Sequence, residues 1–293
     1  MRDFFAERNV LEVAAPVAGS HAVTDPQLES ITLRVMNDAR YLQTSPEFAL
    51  KRLLAMNSGD IYSLGTAFRN DEQGRWHAPE FTMLEWYRLG FNHHDLMDEV
   101  EDLVRTVWPE MPSVERISHR ELFIDSLGID SLSAPVEHLQ ARAQALQDCP
   151  FEEVHRGFWL DLLWVIAIEP ALAKRACFVF DFPPEQAALA RIGDSKGSKV
   201  AHRFELVIQG VELANGFWEL IDADEQSRRF QSDNEQRRQS SLSEVIPDER
   251  LLEALRQGLP DCSGVALGFD RLVALSAGYE QVADAIAIPW DQA

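Results

Sequence analysis

Phe68 to Tyr87 reads FRNDEQGRWHAPEFTMLEWY. Arg69 follows an apolar run, Ile61 to Leu64, that reads as a strand. A short charged stretch of turn-formers comes next. Then His77, Pro79, Glu80 and Phe81 lead into a second half-apolar run, Met83 to Tyr87. This is the pattern of a hairpin with a cation at its root and an aromatic ring on its return strand. It suits a phosphate and a flat base lying side by side. A fixed guanidinium at Arg69 stabilises the charge that builds on the equatorial oxygens of a phosphoryl group under attack. Phe81 offers a face on which a base can stack. In isolation an arginine more often makes a surface ion pair, and a strand phenylalanine more often packs in a core.

Two further segments carry chemistry of the same kind. Gly264 to Arg271 reads GVALGFDR, a glycine- and alanine-rich strand running into a helix. At Gly268 any side chain would intrude between the backbone and a ligand. Arg271, at the start of the helix, can lie over a base as a cation–π partner. VELANGFWELID contains Glu212 and Glu219. Two carboxylates aimed at one point suit Mg²⁺, a hard cation that bridges phosphate oxygens. Seven residues apart on a straight strand they face opposite sides, so convergence requires a bend, which Asn215-Gly216 supplies.

The elements that position these groups follow from periodicity and punctuation. Asp3 to Arg8 reads as a helix, and Val10 to Val13 as a short strand closed by Pro16. Tyr41 to Thr44 is strand-like. Ser45-Pro46-Glu47 starts a helix, with Ser45 as N-cap and Pro46 at the first helical position. Glu47 is then a first-turn acid, stabilised by the helix dipole. His94 to Val107 is an amphipathic helix, because Leu96, Val100, Leu103, Val104 and Val107 recur at helical spacing. Trp108 to Ser118 reads as a linker. The stretch from about 120 to 176 reads as helix-rich, with Phe158 to Leu172 a buried helix. Phe178 to Phe180 is a short strand ending at Pro183-Pro184. Arg203 to Ile208 and Val211 to Ala214 are strands joined at Gln209-Gly210. Asp222 to Ser241 is a solvated helix, Leu251 to Gln257 another, and Phe269 to Ala277 a third.

The hairpin closely resembles motif 2 of the class II aminoacyl-tRNA synthetases, in the lysine-type branch. GVALGFDR is similar to motif 3, and the helix, strand and proline at the start resemble motif 1, which builds the dimer interface of that family. The resemblance covers about Phe4 to Ile286, and the order and spacing of all three motifs fit the one family. It implies an α+β fold, an antiparallel sheet flanked by helices, and an enzyme that activates an amino acid with ATP and Mg²⁺. It further implies one catalytic domain over 1–293, with a helix-rich insertion at about 120–176, and a homodimer. The motif 1 helix begins further upstream in the family, so the chain looks clipped at its start.

The resemblance also implies roles residue by residue. Arg69, Arg271 and Glu219 are the expected catalytic positions. Asn70, Asp71, His77, Phe81, Leu213 and Gly268 join them around the nucleotide, with His77 either flanking the triphosphate or bonding within its loop. Glu212 and Glu219 are the expected Mg²⁺ ligands. Ser45, Pro46, Glu47, Tyr87, Glu219 and Ala266 are expected around the substrate amino acid, where a carboxylate suits a cationic side chain. The chain departs from the family pattern at several places. Asp71 stands for a glutamate, with Glu72 beside it as a substitute; Ala78 stands for an asparagine, Trp218 for a histidine and His202 for an acid. The loop Gly193 to Lys199 looks longer than the family's.

Composition narrows the acceptor. The formal net charge of −21 is unusual for a chain that grips nucleic acid, because neutralisation of phosphates by Lys and Arg supplies most non-specific affinity. The 293 residues leave no room for the N-terminal barrel with which a lysyl-tRNA synthetase reads the anticodon. The match is closer to the free-standing lysyl-synthetase paralogues that modify elongation factor P, and no tRNA is expected. That likeness implies an adenylate of lysine or (R)-β-lysine and transfer of the acyl group to a lysine amine of elongation factor P. Ala266 supports this branch, where lysyl-tRNA synthetases generally carry glycine. A truncated synthetase with another acceptor, and a paralogue that only binds and regulates, are the alternatives.

Other chemistries find no footing. There is no P-loop, no GxGxxG after a strand and no HExxH. Cys149, Cys177 and Cys262 are scattered and read as buried thiols of a reducing cytosol. No secretory signal or membrane span is present, so a cytoplasmic enzyme is expected. His93 and His94 are adjacent, cannot face one ligand from a helix, and read as solvated.

Overall fold

The computed structural model describes residues 1–70, 73–150 and 155–293. In chain order the first elements are α1 (Arg2–Glu7), β1 (Leu11–Glu12), β2 (Ala18–Gly19), β3 (Thr32–Val35), β4 (Asp38–Leu42), α2 (Glu47–Ala55), β5 (Ile61–Phe68) and β6 (Glu80–Leu89). Then come α3 (His93–Val107), β7 (Glu115–Ser118), α4 (His119–Leu127), α5 (Val136–Leu146) and α6 (Arg156–Leu163). A π-helical turn over Trp164–Ile168 joins α6 to α7 (Glu169–Leu172). Next are β8 (Ala176–Phe182), β9 (Ile192–Ser195), β10 (Ser198–Ile208) and β11 (Val211–Trp218). The chain finishes with α8 (Ala223–Gln239), α9 (Glu249–Gly258), β12 (Cys262–Gly268) and α10 (Phe269–Ala277). The chain forms two compact units, one of residues 1–91, 102–109 and 221–293, the other of residues 92–101 and 110–220.

In the first unit β1 pairs parallel with β5, and β5, β6 and β12 pair antiparallel in that order. Period-two alternation divides this sheet into two faces. On one, Tyr62 and Trp86 pack against Phe5 of α1, with the Phe5 and Tyr62 rings stacked at 4.2 Å. On the other lie Ile61, Tyr87 and Cys262, sealed by Leu50 and Leu54 of α2, Phe230 of α8 and Leu251 and Leu255 of α9. The helices begin where side chains satisfy their first amides. Asp222 accepts from Asp224 and Glu225 N–H at the head of α8, and Asp248 accepts from Arg250 and Leu251 N–H at the head of α9. A small antiparallel sheet, β2-β4-β3, completes the unit.

In the second unit β8, β10 and β11 run antiparallel, β9 pairs with β10, and β7 lies parallel to β8. β7 corrects the reading of 108–118 as a linker: Ile117 pairs with Val179 at the sheet edge. ERIS is too short to show a period, and its pairing comes from tertiary context. The loop read at Gly193 to Lys199 is the β9–β10 hairpin, turning at Lys196 and Gly197, both in the left-handed region at φ 48° and 82°. Gln209 and Gly210, at φ 55° and 77°, turn β10 into β11 as expected. The helices α4 to α7 carry a core of their own. Leu122, Phe123, Trp159, Leu160, Leu163 and Leu172 pack on Cys177, Val179 and Phe182 of β8. Ser118 and Glu121 form a capping box at the head of α4.

Candidate active site

One face of β5-β6-β12 collects most of the sequence-derived residues. Directly paired residues share a face. Phe81 lies across from Ala67, Met83 from Gly65 and Gly268, Glu85 from Ser63 and Ala266, and Tyr87 from Ile61 and Gly264. Apart from Ile61 beside Tyr87, the residues that flank this central ridge of Phe81, Met83, Glu85 and Tyr87 are small. Small flanks leave room above the strand, which is how a sheet forms the floor of a ligand site. The Tyr87 end of this face is sealed by α2 and α9, so the room lies toward Phe81 and Gly268.

Arg69 extends the hairpin one step past β5, its N–H donating to Pro79 O at 3.0 Å. Its guanidinium carbon stands 5.3 Å from the centre of the Phe81 ring. Cation and aromatic are therefore together, as the sequence pattern requires. Arg271, on the first turn of α10, donates from Nε to Trp76 O at 2.9 Å, which ties α10 to the hairpin loop. Asp270 Oδ2 accepts from Thr82 N–H at 2.6 Å, a second tie one residue after Phe81. At Gly268 the close approach is by Arg271 itself, whose Cδ would lie 3.2 Å from a Cβ there. His77 closes a narrow turn with Gly74 through its backbone, and its ring is exposed. Asn70 is exposed and donates its N–H to Glu29 O at 2.9 Å. Asp71 and its neighbour Glu72 lie outside the described residues.

Toward the sealed end of this face, the Tyr87 hydroxyl donates to Glu85 Oε1 at 2.8 Å, and both side chains are buried. Glu85 was not among the residues drawn from the sequence. It lies two positions before Tyr87 on a strand, a spacing that alone puts both on one face. α2 begins at Glu47, with Pro46 in the cap position and Ser45 Oγ accepting from Glu47 N–H at 3.4 Å. This shifts the expected start by one residue. Glu47 is a first-turn acid as expected, and its carboxylate lies 2.6 Å from Nζ of Lys51, itself buried.

The second unit holds Glu205, Glu212, Leu213 and Glu219. The bend that turns Glu212 is not at Asn215-Gly216. The β10–β11 ladder pairs Leu206 with Ala214 and then Val207 with Glu212, so Leu213 is the extra residue of a bulge. Leu213 is buried, and Glu212 changes face relative to a straight strand. One added residue makes the seven-residue spacing to Glu219 effectively even. Glu219 is 1% exposed, and its carbonyl accepts from the Arg191 guanidinium at 3.3 Å. Glu205, a second residue missed in the sequence, pairs with Asn215 on β11. Its carboxylate is pushed up to about 7 by burial and by Glu212, against Arg203, whose Nη2 is 2.5 Å away. Glu169 is raised likewise by burial and by Glu212. Glu205 is buried, while Glu212 and Glu169 are exposed beside it; such a concentration of carboxylates suits a cation.

His93 corrects another reading. It is 3% exposed, not solvated, and its Nε2 lies 3.2 Å from Asp181 Oδ1. Burial works to raise the Asp181 carboxyl, but contacts with His202, His93 and Ser195 outweigh it and hold the group well below the usual carboxylate range. Among the described residues no helix is long and apolar enough to cross a membrane.

The family model for tRNA synthetases of class II (D, K and N) matches residues 1–292. A protein of Vibrio atlanticus named elongation factor P–(R)-β-lysine ligase is 46% identical, the match covering 99% of this chain and 92% of the relative. Proteins of the same name from Pseudoalteromonas translucida and Proteus mirabilis are each 47% identical, covering 98% and 99% of this chain and 91% of each relative. With its hairpin cation and aromatic, its glycine-rich strand and a match over nearly its full length, the chain belongs to the class II tRNA synthetase family of the D, K and N type.

Proposed function

We propose that this chain is a ligase that activates (R)-β-lysine with ATP and passes the acyl group to a lysine side chain of elongation factor P. The observation that carries the reading is the buried Glu85–Tyr87 pair facing Ala266 on the floor of the first unit. A carboxylate held by a tyrosine hydroxyl suits an ammonium group, and a methyl in place of glycine reshapes the floor beside it. The names of the relatives support the same substrate and acceptor.

In the first step the substrate carboxylate attacks the α-phosphorus of ATP. The bond to the bridging oxygen breaks and pyrophosphate leaves, giving an acyl-adenylate. Arg69 offsets the charge on the α-phosphate, and Phe81 and Arg271 hold the adenine between them. In the second step the acceptor amine attacks the carbonyl, loses a proton, and AMP leaves. No enzyme nucleophile is needed, because positioning and charge stabilisation suffice. Glu212 and Glu219, with Glu205 close enough to Glu212 to feel its charge, fit a hard divalent cation by their oxygen chemistry. Held by these carboxylates, Mg²⁺ would supply positive charge that offsets phosphate charge. We assign the motif 1 segment to a homodimer interface, in keeping with Leu11, which is 58% exposed on β1. The expected location is the cytoplasm, with no role for tRNA.

ATP–pyrophosphate exchange tests the first step by itself. Exchange that depends on (R)-β-lysine or α-lysine supports the enzyme. No exchange with either amino acid in the presence of Mg²⁺ would leave a paralogue that only binds.

A further inference from the structure

The second unit contains a group of side chains that the adenylate chemistry does not use. His93 opens α3, where Asn92 Oδ1 accepts from the N–H groups of His94 and Asp95 at 2.8 and 3.2 Å and so fixes the first turn. Asp181 is on β8 and His202 on β10. The ladder between these strands is irregular here: Ala201 pairs with Phe182 and Phe204 with Phe180, so His202 and Arg203 together oppose Asp181. Such a bulge re-aims side chains, and Asp181 sits in the left-handed region at φ 56°. All three residues are buried, at 3%, 6% and 9% exposure.

We propose that His93, Asp181 and His202 form a binding site for one divalent transition-metal ion of the Zn²⁺ class, apart from the carboxylates assigned to Mg²⁺. Their donor atoms all lie within 4.8 Å of one another. His93 Nε2 is 3.2 Å and His202 Nδ1 3.6 Å from the same Asp181 Oδ1. Donors on a tetrahedral Zn²⁺ with bonds of about 2.0–2.1 Å are roughly 3.3 Å apart, so these two separations bracket a ligand edge. The 3.6 Å separation exceeds a hydrogen bond, and His202 Nδ1 is buried with no hydrogen-bond partner.

The surroundings hold these donors in place. Ser195 Oγ donates to Asp181 Oδ2 at 2.6 Å, the outer-shell bond that orients a ligating carboxylate. A Cβ at Gly193 would collide with His202 Nε2, so glycine there lets the ring lie with Nδ1 turned toward Asp181. The rings of His93 and His202 stack at 4.8 Å, with Trp218 5.3 Å from His202. Two imidazoles and one carboxylate select Zn²⁺ or a neighbouring transition ion over Mg²⁺ or Ca²⁺. The bound ion would pin the first turn of α3 to the β8–β10 bulge.

The test uses the untagged full chain, stripped by chelator and kept in excess Mg²⁺ to occupy oxygen-only sites. Zn²⁺ is added, bound metal is counted by mass spectrometry after gel filtration, and the melting temperature is followed. One Zn²⁺ per chain and a rise of several degrees are expected, with Co²⁺ giving the visible bands of a nitrogen–oxygen site. Asp181→Asn and His202→Gln should each weaken Zn²⁺ binding by ~100-fold, and Ser195→Ala, which leaves the ligands in place, by about tenfold. A wild-type chain that holds no Zn²⁺ and whose melting temperature does not move overturns the proposal, whether or not the variants fold. Equal Zn²⁺ binding by wild type and folded variants overturns it too.

Discussion

Ala266 lies directly across the β12–β6 ladder from Glu85, on the face that also carries Tyr87. The two side chains are therefore neighbours on the site floor. The methyl of Ala266 occupies space next to a buried carboxylate that accepts from the Tyr87 hydroxyl. Moving an amino group from the α to the β carbon changes where its charge falls relative to that carboxylate.

Replacing Ala266 by glycine should improve the use of α-lysine relative to (R)-β-lysine. One methyl in a tight pocket is worth roughly 1–3 kcal/mol, a change of about 10- to 200-fold in relative kcat/KM. Pyrophosphate exchange with each isomer measures it, and an unchanged ratio would count against this role for the methyl.

Glu85→Gln removes the charge that we propose faces the substrate ammonium. A hydrogen bond to a charged group contributes ~1.5–3 kcal/mol, so kcat/KM for the amino acid should fall ten- to more than a hundredfold. The KM for ATP should barely move. Tyr87→Phe, which removes only the hydroxyl that orients Glu85, should do the same more weakly.

Glu205→Gln should raise the Mg²⁺ concentration needed for half-maximal exchange. It removes one of the carboxylates that crowd Glu212. If the Mg²⁺ requirement is unchanged, Glu205 serves only to hold Arg203.

His119 makes stability depend on pH. It is fully buried beneath Trp164 and Phe123, with Nδ1 2.8 Å from Ser131 Oγ. Burial, with Arg203 and Arg156 nearby, pushes it down to about 3. The unfolded value is about 6.5, so the folded value lies below it. The neutral ring's contribution is fully present above about 6.5 and is lost as pH falls toward 3. Between pH 7 and pH 5 the wild type should lose about 2 kcal/mol more than His119→Asn. Urea unfolding at the two pH values measures the difference; parallel losses would mean that His119 is charged in the fold.

Much of the first unit's site was legible before the fold was known. Arg69 follows one strand of the hairpin and Phe81 and Tyr87 share its return strand, and Gly268 and Arg271 straddle a strand-to-helix change; both are local patterns. Glu85 was legible too, two residues before Tyr87, but a lone strand glutamate ordinarily reads as solvent-facing. The bulge at Leu213 was not, because nothing in VELANG separates a bulge from a straight strand. Asn215-Gly216, the stronger turn signal, drew the bend to the wrong place. Glu205 owes its raised value first to burial and then to Glu212 across that bulge, so it could not be found without the register. His93 is polar and opens a helix, and only its packing against β8 and β10 buries it.

The central claim is tested most directly by the intact mass of purified elongation factor P after incubation with this protein, ATP, Mg²⁺ and (R)-β-lysine, with α-lysine in parallel. A mass gain of one lysyl residue, dependent on ATP and larger with the β isomer, is the predicted result. No mass gain with either isomer, from a protein that still catalyses pyrophosphate exchange, would contradict the acceptor and point the activated acyl group elsewhere.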